Sequence, residues 1–190
     1  MLFADVVGFT PMSASMPPAE LVGLLDELFT AFDGFVTALG LEKIKTVGDA
    51  YMVAGGVPDH RPDHATAIAE LALRIRDHVA TNLVGRRQLS MRIGISSGPL
   101  TAGIIGRHKF AYDLWGDAVN TASRMESEGI PGSIQISLST FELIKDEYVC
   151  EPRGLIDVKG KTAMQTYLLV ARRASSGATP ATAAVTPSEA

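Results

Sequence analysis

The feature that most constrains this chain is the order in which two hydrophobic periods alternate over its first hundred residues. Residues 2–7 read as a β-strand, and after Pro17-Pro18 the apolar side chains Leu21, Leu24, Leu25, Leu28, Phe29 and Phe32 recur at helical spacing. That pattern predicts a long amphipathic helix running to about residue 39, before Gly40. Two short β-prone runs follow, 42–47 and 50–54, and the Gly48-Asp49 pair between them signals a tight hairpin. Ala65, Ile68, Ala69, Ala72, Ile75 and Val79 mark a second helix over 64–82, and residues 89–97 a further strand. The order βαββαβ predicts an α+β fold: a ferredoxin-like, split βαβ, palm-like sheet with helices packed on one face.

Additional C-terminal strands and helices are expected beyond that unit. Residues 101–105 and 110–115 read as strands, and Gly116-Asp117 leads into a helix over 118–128 with Asp117 as its N-cap. A brief strand at 134–136, a short helix at 139–145 and two β segments, 149–158 and 165–170, complete the pattern. Nothing marks an internal repeat or a second domain, so residues 1–173 are expected to form one unit. Residues 174–190 are mostly Ala, Ser, Thr and Pro. Such a segment buries too little surface to offset its ordering entropy and is expected to be a disordered tail.

Composition excludes several functions. A 46% hydrophobic content with 20% charged residues is that of a folded domain rather than a disordered regulator. The net charge of −4 argues against broad binding of nucleic-acid backbone, and Arg86-Arg87 and the basic residues at 107–109 read as solvated loop charges. A single cysteine, Cys150, excludes an internal disulfide and a multi-thiolate zinc site, and it reads as a small, partly buried apolar residue. His60, His64, His78 and His108 show no metal-like grouping. No apolar run approaches the ~20 residues that cross a bilayer, so the expectation is a cytoplasmic domain without direct membrane contact. Because the sequence opens directly on a strand, it also reads as a longer chain cut at a domain edge, with room ahead for membrane-anchoring or sensor segments.

Two carboxylates stand out. Asp5 lies inside an apolar strand, where a charge is costly unless it is paired or bound to a cation. Asp49 sits at the hairpin turn, an ordinary place for Asp. If the first strand and the hairpin are neighbours, both carboxylates face a common point, the arrangement that two-metal phosphate chemistry uses. The loop Val7-Gly8-Phe9-Thr10 then enters a helix, whose backbone N–H groups and dipole would suit a triphosphate.

Four segments make the reading specific. Phe3-Ala4-Asp5-Val6-Val7-Gly8-Phe9-Thr10, the run from Glu42 to Met52 with Lys45-Thr46-Val47-Gly48-Asp49 at its centre, the run from Tyr112 to Met125, and Val158-Lys159-Gly160-Lys161 resemble, in the same order, the motifs of the class III nucleotidyl cyclases. The resemblance spans roughly residues 2–172. It implies two Mg²⁺ or Mn²⁺ ions held by Asp5, Asp49 and the carbonyl of Val6. It further implies in-line attack of a ribose 3′-hydroxyl on the α-phosphorus of a nucleoside triphosphate, with no covalent intermediate.

The same resemblance assigns Asn120 to the ribose and Arg124 to charge on the α-phosphoryl group; these two are four apart, on one helix face. It gives Lys159 to the triphosphate, though Lys161 would point the same way from a regular strand. Lys45 and Asp113 match the adenine-reading pair of adenylyl cyclases, Lys45 donating to N1 and Asp113 accepting from the 6-amino group, where guanylyl cyclases generally carry Glu and a small residue. Adenylate cyclase activity on ATP is therefore expected, with guanylate cyclase or a silent regulatory dimerisation module as the alternatives. In the family, metals sit on one protomer and the base and transition-state residues on the other, so a head-to-tail homodimer with two composite sites is implied. Pro99 departs from relatives that carry a phosphate-contacting Arg there.

Overall fold

The computed structural model describes residues 1–106, 108, 110–157 and 163–174. In chain order the elements are β1 (Leu2–Val6), α1 (Phe9–Ser15), α2 (Pro18–Ala38), β2 (Glu42–Val47), β3 (Ala50–Ala54), α3 (His64–Thr81), β4 (Met91–Ile95), β5 (Thr101–Ile105), β6 (Ala111–Trp115), α4 (Asp117–Ser127), β7 (Ile134–Ser137), α5 (Leu138–Ile144), β8 (Tyr148–Ile156) and β9 (Met164–Arg172). The alternation read from the sequence is present, with ends displaced by a residue or two. Val158, Lys159, Gly160 and Lys161, and the tail from 175 onward, lie outside the described residues.

Seven strands form one sheet in the order β2-β3-β1-β4-β7-β9-β8. Its first four are the split βαβ: β1 runs antiparallel to both β3 and β4 and occupies the middle. A side-chain period of two then divides β1 between two faces. Leu2, Ala4 and Val6 are buried against α2 and α3 in the main core, with Leu28, Phe32, Ile68 and Ile75. Met1 and Phe3 face the other way, into a smaller cluster with Met52, Leu114, Val119 and Ala122.

The two helices of the split βαβ share one face, as expected, whereas α4 packs on the opposite face. A missing side chain makes this possible. A Cβ at Gly94 of β4 would lie 2.1 Å from the Glu126 nitrogen and 2.4 Å from the Ala122 oxygen, so only glycine lets α4 rest directly on the strand. The cap expected at Asp117 moves by one residue: α4 begins at Asp117, and Gly116 occupies the cap position without a side-chain bond. Asp117 instead places its charge in the first turn, where the helix dipole favours it.

Strands β5 and β6 stand apart as a two-stranded hairpin, Thr101 pairing with Trp115 and Gly103 with Asp113. Two strands alone are marginally stable, and this hairpin also exposes Ile104 and Ile105, with Phe110 at its tip. Gly94→Ala is expected to lower unfolding free energy by about 3 kcal/mol through overpacking beneath α4; urea denaturation measures it, and an unchanged midpoint would contradict the seat described for this helix.

Candidate active site

The face of the sheet that carries α4 also gathers the charged residues. Asp5 projects from β1 toward that side, since its neighbours Ala4 and Val6 take the other. Ala4 pairs with Tyr51, so continuing the same register brings the Gly48-Asp49 turn alongside Asp5 and Val6. The Asp5 and Asp49 carboxyls come within hydrogen-bonding reach of each other. Asp49 is pushed up to about 6, first by burial and then by Asp5, while backbone amides of Asp49 and Val6 pull it down.

Asp5 has a second neighbour that sequence reasoning missed. Arg92, its direct partner across the β1–β4 ladder, donates from Nη2 to Asp5 Oδ2 at 3.0 Å and from Nε to Glu126 Oε1 of α4 at 3.3 Å. Glu126 is the more buried end, its side chain 12% exposed, and it is pushed up to about 7 by burial and by Asp5, with Arg92 opposing. The signal was available: Arg92 is a charge in the apolar run Met91-Arg92-Ile93-Gly94-Ile95, which calls for a partner as Asp5 does.

Lys45 and Asp113 meet across elements 68 residues apart, Lys45 Nζ lying 2.5 Å from Asp113 Oδ2. The Asp113 carboxyl is held below the usual carboxylate range by that contact and by the Leu114 N–H. A β-bulge in β2 lies beside this pair. Lys43 pairs with Val53 and Lys45 with Met52, leaving Ile44 as the extra residue, so two lysines that a regular strand would turn to one side face opposite sides. Lys43 reaches Asp33 of α2 at 2.8 Å, where the buried Tyr51 hydroxyl also donates, and Lys45 is left for Asp113. Ile44 packs into the small cluster on the Lys45 side.

The remaining candidates are spread out. Gly8 caps α1 in the left-handed region at φ 72°, and Gly8 and Thr10 are exposed while Phe9 packs on the main core. Pro11 has no N–H, so few amides are free in that first turn. Asn120 and Arg124 are exposed on the outer side of α4, one turn apart, away from the inner side that carries Ala118, Val119, Ala122 and Met125. Arg124 precedes Glu126 by two residues, about 200° around the helix, so it points away from the Asp5 cluster.

Chemically, Asp5 and Asp49 form an all-oxygen carboxylate pair, which suits a hard divalent cation. Two adjacent carboxylates, one with its proton affinity raised, are better satisfied by such a cation than by each other. Among the described residues no cluster of three or more His, Cys, Asp or Glu could hold a metal, so further ligands would be backbone, water or phosphate oxygens.

Residues 1–171 match the family described as the adenylate and guanylate cyclase catalytic domain. An adenylate cyclase of Mycobacterium tuberculosis is 48% identical over 193 residues, covering 97% of this chain but only 43% of that protein, so the chain spans less than half the length of this relative. Among solved structures, the guanylate cyclase domain of RhGC from Catenaria anguillulae in complex with GTP superimposes with a TM-score of 0.88 at 39% identity, covering 90% of this chain and 95% of that one. An adenylyl cyclase of P. aeruginosa gives 0.85 at 32% identity, with 93% and 95% covered.

Asp49 and Glu126 both hold protons to higher pH when folded than their ordinary values of 3.8 and 4.5 allow. The stabilisation this gives is complete below those ordinary values and is lost as pH rises through about 6 to 7. In EDTA the melting temperature should therefore fall as pH rises from those ordinary values to about 6 to 7, and Asp49→Asn should remove the part lost between 3.8 and about 6; thermal melts over a pH series check both.

Proposed function

This chain belongs to the adenylate and guanylate cyclase catalytic-domain family, the class III nucleotidyl cyclases, and on that premise we propose that it is an adenylate cyclase converting ATP to 3′,5′-cyclic AMP and pyrophosphate. The observation that carries the choice of ATP is the Lys45–Asp113 pair. Adenine presents an acceptor at N1 and a donor at its 6-amino group, and guanine presents the reverse at both positions. Lys45 supplies the donor for N1 and Asp113 the acceptor for the amino group. Once the bound base covers this pair, a base that leaves its donor and acceptor unpaired is rejected by orders of magnitude.

Residues 1–173 are taken as the catalytic unit. Asp5, Asp49 and the Val6 carbonyl would hold two Mg²⁺ or Mn²⁺ ions, whose charge, when bound, acidifies the ribose 3′-hydroxyl and offsets the developing charge on pyrophosphate. Gly8, Phe9 and Thr10 face the phosphates with their backbone, and Lys159 adds a cation for the triphosphate. Asn120 orients the ribose so that its 3′-oxygen lies in line with the bond from the α-phosphorus to the leaving oxygen. Arg124 spreads its guanidinium fork over the equatorial oxygens as charge builds there, a role that a lysine point charge does not reproduce. The new bond joins O3′ to the α-phosphorus, and the bond that breaks releases pyrophosphate.

Two features support a site shared by two copies. Arg124 and Asn120 point outward from α4, away from Asp5 of their own chain, and the β5–β6 hairpin leaves Ile104, Ile105, Phe110 and Trp115 exposed. A head-to-tail homodimer covers such apolar surface and brings each Arg124 to its partner's acidic pair. No helix among the described residues is long and apolar enough to cross a membrane.

With Mn²⁺, turnover of ATP should exceed that of GTP by more than about tenfold, and Lys45→Glu with Asp113→Cys should move the preference toward GTP. Equal turnover of the two by the wild-type protein would sink the adenylate reading in favour of a guanylate or unselective cyclase. Asp5→Ala and Arg124→Ala, each inactive alone, should regain part of the wild-type rate when mixed; heterodimers that form but stay inactive would rule out shared sites.

A further inference from the structure

Arg92 occupies a position that neither the phosphate chemistry nor the fold accounts for. It stands directly opposite Asp5 in the β1–β4 ladder, 3.0 Å from Oδ2, and its Nε is held by Glu126 at 3.3 Å. The side chains of Asp5, Arg92 and Glu126 are 19%, 31% and 12% exposed, so water screens this triad only in part. One guanidinium thus shares two carboxylates, one on the face of the acidic pair and one on the helix seated over it. Taking this together with the reading of Asp5 and Asp49 as cation ligands, on which it rests, we infer that Arg92 is a resident counter-ion of the metal site: it holds Asp5 paired and aimed while no cation is present, and it competes with the cation for that carboxylate.

The consequence follows from charge alone. A divalent cation arriving at Asp5 must displace or face a fixed positive group, and the electrostatic repulsion weakens its binding. Glu126 limits that repulsion, since it draws part of the guanidinium charge away from Asp5 and anchors it to α4. Arg92 is therefore a positioning residue that keeps the acidic pair ordered and sets cation affinity lower than two carboxylates alone would give. A purely structural Arg92 makes the opposite prediction, because its loss would disorder Asp5 and weaken binding.

The sign of the change decides between them. Mn²⁺ binding to the full chain without nucleotide is measured by the loss of the free-ion EPR signal, with folding of each variant checked by thermal melting. Arg92→Gln, which keeps a donor for Asp5 but removes the charge, should bind Mn²⁺ about tenfold more tightly than wild type, while Arg92→Lys should stay within about twofold. Glu126→Gln, which leaves Arg92 with Asp5 as its one carboxylate, should bind several-fold more weakly. Unchanged or weaker binding by a folded Arg92→Gln, or unchanged or tighter binding by Glu126→Gln, overturns the inference while leaving the metal site standing. If Asp49→Asn binds Mn²⁺ as wild type does, the metal reading itself falls and this inference falls with it.

Discussion

The antiparallel pairing of β1 with both β3 and β4 is the constraint from which the site is built. A strand held on two sides cannot rotate or slip, because a one-residue shift would carry Leu2, Ala4 and Val6 out of the core and Asp5 into it. The hydrophobic face of β1 thus fixes the direction of its one carboxylate. The same ladder sets its neighbours: β3 brings the Gly48-Asp49 turn alongside, and β4 brings Arg92 directly opposite. Two acids and a guanidinium converge from two paired strands and one two-residue turn, with no longer loop having to be ordered for the purpose. Their mutual repulsion and desolvation are carried by a core that includes the fully buried Leu2, Leu28, Phe32, Ile68 and Ile75.

Helix α4 depends on this frame in a second way. Seated on Gly94, it lies close enough for Glu126 to reach Arg92 on its inner side while Asn120 and Arg124 look outward. One rigid element therefore touches the acidic cluster of its own chain and presents a separate pair of polar residues to the outside. In a two-fold dimer of such chains each α4 would stand between two sites.

Much of this was legible in the sequence. The alternation of periods gave the split βαβ because each helix buries one face against a sheet that needs covering, and Gly48-Asp49 fixed a hairpin by turn chemistry alone. Asp5 stood out as a charge in an apolar strand. What escaped was relational. Arg92 shows the same anomaly, yet its meaning depends on being opposite Asp5, and strand order is not written in either strand. The opposite facing of Lys43 and Lys45 comes from a bulge, an irregularity that composition does not mark, since Ile44 is as good a strand residue as its neighbours. The placement of α4 on the far face turned on Gly94, one residue whose lack of a side chain has no periodic signature.

The Lys45–Asp113 pair shows why proximity and strength must be kept apart. Its side chains are 39% and 24% exposed, and an ion pair of that exposure contributes at most about 1 kcal/mol. It cannot by itself hold the β5–β6 hairpin against the edge of the main sheet, where the small apolar cluster of Met52, Leu114, Val119, Ile44 and Tyr112 does more. Weakness is what the proposed base-reading role requires. Partners that were buried and fully satisfied by one another would have to be separated at a cost of several kcal/mol before meeting a purine, and discrimination would be lost in that cost. On the proposed reading, the apolar cluster fixes where donor and acceptor stand, while the exposure of the contact between them would let both be exchanged for the edge of a base.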